Sequence, residues 1–202
     1  YYDPKRPPAA SKAMVRGTGV TDRTIAVDMI AAPEGPLISV LTPIAKKVKP
    51  TRQVVYKAVR NRKLHLHIFE PEGHQPTDRR PVFLAIHGGG WTGGNAKVFY
   101  PFAAHFAEHG MVGISLEYRL KSDRDGTTVF DCVRDARSAV RWIRKNADAL
   151  GVDPTKIVAM GGSAGGHLAV STALFDRVNE DSDPADVSAR PDALILMYPV
   201  ID

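Results

Sequence analysis

Two glycine-rich segments hold the residues whose types and spacing could do chemistry. The first reads Gly161-Gly162-Ser163-Ala164-Gly165-Gly166-His167 and fits G-x-S-x-G, with Ser163 between Gly161 and Gly165. A serine of this kind sits on a strained turn between a strand and a helix, so its flanking positions must lack side chains that would collide with adjoining elements. A helix N-terminus beneath it contributes free N–H groups and partial positive charge, which favour a negative oxygen. The second segment, His87-Gly88-Gly89-Gly90-Trp91, can bring its main chain close to a reacting oxygen because no Cβ stands in the way. Together the segments point to covalent acyl transfer, with a serine nucleophile and backbone N–H groups holding the oxyanion.

Both segments need a strand ahead of them. Residues 82–86 are a short, solid apolar run of the kind a strand buried on both faces shows, and they end at His87. Ile157, Val158, Ala159 and Met160 lead into Gly161 in the same way, and a helix is expected from 161–166 to about Phe175. Pro101 suits the first turn of another helix, which carries Phe102 and Phe106 and stops at Gly110. Residues 111–118 read as the next strand. Val129, Val133, Ala136, Val140 and Ile143 recur at helical spacing up to Leu150, where Gly151 supplies the stop. Earlier, 53–60 and 64–69 flank Asn61, Arg62 and Lys63, and Leu64, Leu66 and Ile68 alternate with His65 and His67 as in a β-hairpin. Asp153 and Pro154 turn the chain into the strand at 157–160, and a last strand is expected over 193–198. Strands alternating with helices make an α/β fold, a mostly parallel sheet with helices on both faces.

With 202 residues, 44% of them hydrophobic and 24% charged, the chain can bury a core, which excludes a wholly disordered tail or a collagen-like rod. No apolar run approaches the ~20 residues that a membrane helix needs. Residues 1–50, rich in proline and polar residues, read as an appendage or leader, and 51–202 as the domain. The chain opens on Tyr1 and no apolar signal core follows, so an exported or periplasmic location would depend on sequence upstream. Lys plus Arg number 27 against 22 acids, and the excess gathers at Lys46, Lys47, Lys49, Arg52, Lys57, Arg60, Arg62 and Lys63. That run alternates with Val54, Val55, Tyr56 and Val59 and brings no aromatic platform, so it reads as the wet face of an edge hairpin rather than as a nucleic-acid surface. Cys132, the sole cysteine, can form neither an intrachain disulfide nor a cysteine metal site and reads as core filler.

Other readings of the glycines are open at this point. Residues 161–166 could be a glycine-rich turn with an incidental serine. Gly88, Gly90 and Gly93 also satisfy G-x-G-x-x-G after a strand, and Glu117 at the end of the next strand could hold a ribose, as in a dinucleotide-binding oxidoreductase. Against that, residues 95–100 delay the helix well past the glycines, and the glycines at 161–166 are left without a purpose.

The two segments, joined by Glu117-Tyr118-Arg119-Leu120 and by 131–144 with Asp135 and Trp142, resemble α/β-hydrolase-fold esterases of the hormone-sensitive-lipase type, near bacterial feruloyl and acetyl-xylan esterases. The resemblance spans about 53–202. It implies a carboxylic ester hydrolase with Ser163 as nucleophile, an oxyanion hole from the N–H groups of Gly89, Gly90 and Ala164, and His87, Gly88, Trp91, Gly161 and Gly165 in support. It implies no metal and no organic cofactor. The implied substrate is a small-molecule or carbohydrate ester with a short or aromatic acyl group.

In this fold the triad follows the chain order serine, acid, histidine. Of His65, His67, His74, His87, His105, His109 and His167, only the last follows Ser163, and from the same helix it cannot swing back onto the hydroxyl. Asp176, Glu180, Asp181, Asp183 and Asp186 read as a helix end and a solvated loop. Asp202, just past the sixth strand, stands where some lipases place the acid, but the resemblance implies an acid one strand later, beyond residue 202. The expectation is therefore an α/β-hydrolase fold truncated after about the sixth strand, lacking its catalytic acid and histidine, with the 202-residue chain by itself inactive or nearly so. A non-catalytic hydrolase-like binding module is the other alternative.

Overall fold

Alternating apolar and polar residues build the expected hairpin. In the computed structural model, which describes residues 37–200, β1 (Arg52–Val59) and β2 (Arg62–Phe69) pair antiparallel across a turn at Arg60 and Asn61. Arg62 and Lys63 thus belong to β2 rather than to the turn. The other strands are β3 (Arg80–Ile86), β4 (Val112–Leu116), β5 (Val152–Gly162) and β6 (Ala193–Met197). The sheet order is β1-β2-β4-β3-β5-β6, with β2 antiparallel to β4 and with β4, β3, β5 and β6 parallel. This order sets the ends of β3 and β5 side by side, where Ile86 pairs with Gly161.

The solid apolar run in β3 is explained by burial on both faces. Val82, Leu84 and Ile86 pack under α3 (Val129–Lys145) and α5 (Ala164–Leu174), against Val133, Ala136, Val140, Ile143 and Leu168. Phe83 and Ala85 face the other layer, with Leu41 of α1 (Leu37–Ala45) and Phe99, and the neighbouring cluster there holds Tyr100 and Ala103 of α2 (Tyr100–Glu108). A compact unit runs from Leu37 onward and takes in α1. A capping box of Thr128 and Asp131 starts α3, and Gly151, at φ 63°, stops the short α4 (Ala147–Leu150). Among the described residues no helix is long and apolar enough to cross a membrane.

Three elements depart from the sequence expectation. β5 starts at Val152, and the register shift opposite Arg80 and Val82 lets it accommodate Pro154. β4 ends at Leu116; Glu117 N–H keeps one bond to the His65 carbonyl of β2 at 3.1 Å, and Tyr118 leaves the sheet. β6 ends at Met197, with Ile195, Leu196 and Tyr198 exposed.

The charged residues depart further. A register shift between Val55 and Lys57 breaks the alternation of β1, so Tyr56 and Lys57 are buried in succession. The Lys57 ammonium meets Asp135 at 2.7 Å, Glu180 at 2.6 Å and Ser138 Oγ at 3.1 Å. Lys57 is therefore no part of a wet face, and Glu180 is no solvated loop residue. Asp183 likewise accepts from Ser138 at 2.8 Å and from Arg141 at 3.2 Å. Burial opposes the charge on Glu180, but the hydrogen bond and charge of Lys57 outweigh it and hold its carboxyl below the usual range. Breaking such a pair strands a buried charge, so Lys57→Met should cost about 3 kcal/mol in urea unfolding. An unchanged midpoint would show that Arg119 alone satisfies Asp135.

Cys132 is buried in the α3 core, and its thiol donates to the Arg119 carbonyl at 3.0 Å. Burial, with Asp135 and Asp131 nearby, pushes its pKa up to about 12, which makes it an inert packing residue.

Candidate active site

Ser163 is the hinge between β5 and α5. Its backbone lies at φ 54° and ψ −123°, a conformation that costs a non-glycine residue about 1–3 kcal/mol. Fastenings on both sides hold it there: its N–H donates to the Met197 carbonyl at 3.0 Å, and its carbonyl accepts from His167 N–H at 3.1 Å. The side chain makes no capping bond, so the hydroxyl is left for other work.

The flanking glycines are dictated by backbone contact. A Cβ on Gly161 would stand 2.1 Å from the Gly165 carbonyl oxygen, and one on Gly165 would stand 2.0 Å from that of Ile86. The turn packs this tightly because α5 drops directly onto the end of β3.

The glycine loop leaves β3 beside this turn. A Cβ on Gly88 would lie 2.7 Å from the Gly162 carbonyl oxygen and 3.3 Å from Ser163 Cβ, so the two glycine segments touch at the serine. Among the described residues, no hydrogen bond takes up the N–H of Gly89, Gly90 or Ala164. Free donors are thus present on the loop and at the start of α5.

His87 sits under the loop and not in it. Buried, with its ring stacked on Tyr118 at 4.5 Å, it donates from Nδ1 to the Gly88 carbonyl at 2.7 Å. Burial holds its pKa below the ordinary histidine value, against the raising effect of the Gly88 bond and of Glu117. The unfolded chain, titrating near ~6.5, therefore binds a proton that the native state refuses. Stability contributed by neutral His87 should be full above about pH 6.5 and decline as pH falls toward the lowered folded value. Urea titrations at pH 7.5 and 5.5 should show this loss, and it should shrink in His87→Gln.

His167 lies one turn along α5, its ring edge-on to Trp91 at 5.2 Å and to Phe175 at 6.1 Å. No histidine hydrogen-bonds the Ser163 hydroxyl among the described residues, and Asp202 lies outside them. The dinucleotide reading fares worse. No α-helix opens at Gly88, Gly90 and Gly93; a 3-10 turn at Ala96–Phe99 precedes α2, so the loop has no helix N-terminus to offer a pyrophosphate. Glu117 is engaged by His65 Nδ1 at 2.9 Å. Phe99 and Met197, which a Cβ on Gly162 would meet at 3.5 and 3.4 Å, pack under the turn as part of the core cluster around Phe83, and no sequence motif marks them.

Residues 66–202 match the family model described as BD-FAE. The chain is 34% identical over 142 residues to a probable carboxylic ester hydrolase, LipM, of Mycobacterium tuberculosis, an alignment covering 68% of this chain and 32% of that protein. It is 38% identical over 131 residues to endo-1,4-beta-xylanase B of Butyrivibrio fibrisolvens, covering 63% and 20%. Among solved structures, the propionate-bound esterase Est2 of Thermogutta terrifontis superposes with a TM-score of 0.71 at 43% identity, covering 74% of this chain and 55% of that one. The same esterase phosphonylated by cyclosarin gives 0.72 at the same identity, covering 74% and 56%. The chain thus spans just over half the length of these solved esterases and about a third or less of these two curated relatives.

Proposed function

Because the chain belongs to the BD-FAE family and has the α/β-hydrolase fold of carboxylesterases, we propose that its protein cleaves carboxylic esters through an acyl-enzyme on Ser163. The observation that carries this is the strained Ser163 turn with Gly88 pressed against it. The serine oxygen attacks the ester carbonyl carbon, and the carbonyl electrons move onto oxygen. N–H groups of Gly89, Gly90 and Ala164 receive that charge; a preorganised donor of this kind supports about 10²–10³-fold in rate. Collapse expels the alcohol, and water then attacks the acyl-enzyme.

The reaction needs a base to take the serine proton and return it to the alcohol. None of the seven histidines serves, so the proposal takes the histidine from sequence beyond Asp202, and the acid from there or from Asp202 itself. The 202-residue chain alone is accordingly expected to hydrolyse esters barely above background.

For substrate, the proposal is a short-acyl or aromatic-acyl ester, including esters on carbohydrate. Support comes from the propionate-bound relative, from the match to a xylanase, and from Trp91 beside His167 near the serine. The test is a substrate panel on the protein expressed from its complete reading frame. Acetate, propionate and feruloyl esters should be cleaved at least about 10²-fold faster than a matched peptide amide. The reverse order would defeat the proposal, and absence of any turnover would favour a binding module.

A further inference from the structure

The glycine loop is held at its two ends by a single short segment. Tyr118 Oη donates to the His87 carbonyl at 2.8 Å, and Lys121 N–H donates to the Trp91 carbonyl at 2.7 Å. His87 and Trp91 are the residues immediately before and after Gly88, Gly89 and Gly90. Between these clamps the loop has little of its own to keep its shape. Gly89, Gly90 and Trp91 all have positive φ, and between the clamps the Gly88 carbonyl accepts from His87 Nδ1 and the Gly89 carbonyl from Thr92 and Gly93 N–H.

The clamping segment is itself anchored in the core. Asp135, with no solvent exposure, accepts from Arg119 N–H at 2.9 Å, from Arg119 Nε at 2.8 Å and from Arg119 Nη2 at 2.8 Å. Cys132 Sγ donates to the Arg119 carbonyl, so both backbone polar groups of Arg119 are tied to α3. Lys57 and Glu180 complete the charge balance around Asp135. The buried ion cluster therefore sits one residue away from a side chain that grips the loop.

On the reading of Ser163 as nucleophile, we propose that Asp135 and Tyr118 are positioning residues: Asp135 fixes the backbone at Arg119, and residues 118–121 then hold the glycine loop at both ends so that its N–H groups stay aimed at the oxyanion. Neither residue touches the reacting atoms. Their effect appears in the transition state, because the charge on the oxygen is largest there.

Tyr118→Phe keeps the ring stacked on His87 and deletes the clamp to its carbonyl, together with the longer 3.4 Å contact of the hydroxyl to its Nδ1. Tyr56→Phe is the control: its hydroxyl donates to the Glu117 carbonyl at 2.8 Å, another buried side-chain bond to the same strand end, without touching the loop. In the full-length protein, active sites would be counted by fluorophosphonate titration and p-nitrophenyl acetate hydrolysis measured per titrated site. Tyr118→Phe should lower kcat per site about tenfold with KM within about twofold, a fraction of what losing a whole donor costs. Tyr56→Phe should leave kcat per site unchanged. Asp135→Asn should follow Tyr118→Phe, and if it fails to fold, Tyr118→Phe decides alone. A Tyr118→Phe protein with unchanged kcat per site and only a lower melting temperature would overturn the proposal, as would equal losses in both tyrosine variants. A wild-type protein that neither turns over nor takes up the phosphonate would instead sink the Ser163 reading, and this inference with it.

Discussion

Ser163→Ala, made in the full-length protein, should lower ester hydrolysis by at least about 10⁴-fold. Removing the nucleophile of a serine hydrolase costs on the order of 10⁶ in kcat, and what survives comes from the oxyanion donors and binding. The fold should be untouched. Ser163 is held through its backbone bonds to Met197 and His167, and its side chain makes no capping bond that alanine would lose. Alanine inherits the same φ of 54°, so the strain remains and the unfolding free energy from urea titration should stay within about 0.5 kcal/mol of wild type. The two readouts are kcat for p-nitrophenyl acetate and the unfolding curve. A variant that kept more than a hundredth of the activity would move the chemistry to another residue.

The second large effect is expected at the glycines, where two alanine substitutions should fail differently. Gly88→Ala places a methyl 2.7 Å from the Gly162 carbonyl oxygen and 3.3 Å from Ser163 Cβ. The loop is a surface connection and can shift, so the protein should fold while the loop moves away from the serine. Losing even one aligned donor then predicts a fall of about 10²–10³-fold in kcat. Gly165→Ala places its methyl 2.0 Å from the Ile86 carbonyl oxygen and 2.6 Å from that of His87. Here α5 itself must lift off β3, which should cost about 3 kcal/mol or more, so the loss shows as lower soluble yield and melting temperature. Circular dichroism melts and kcat on the soluble fraction separate the two. A fully active Gly88→Ala protein would mean that the loop does not bear on the serine.

Local pattern made the site legible because local sequence dictates it. Gly161, Ser163 and Gly165 stand in a fixed turn, and the apolar runs at 82–86 and 157–160 announce the strands that deliver both loops to one sheet edge. The hairpin was readable from Leu64, Leu66 and Ile68 for the same reason. What escaped depends on distant partners. Lys57 belongs by composition to a basic run, and only the irregularity after Val55 turns it inward to Asp135. Glu180 and Asp183 sit in an acidic stretch that any sequence rule assigns to solvent; their cations come from β1, α3 and the segment after β4. Tyr118 and Arg119 lie in a stretch that resembles the family. Their grip on His87 and Asp135 is a contact across the sheet edge and helix layer, with no periodicity to reveal it. α1 was hidden by its proline-rich surroundings, and Leu41 declares itself only by packing near Phe83 and Phe99.

The central claim is that Ser163 is the nucleophile, and the most direct measurement is the mass of the peptide carrying it after reaction with a fluorophosphonate. The full-length protein should lose esterase activity in step with a single adduct, and fragmentation should place that adduct on Ser163. Ser163→Ala should carry none. An adduct on another residue, or complete inactivation with Ser163 unmodified, would contradict the account.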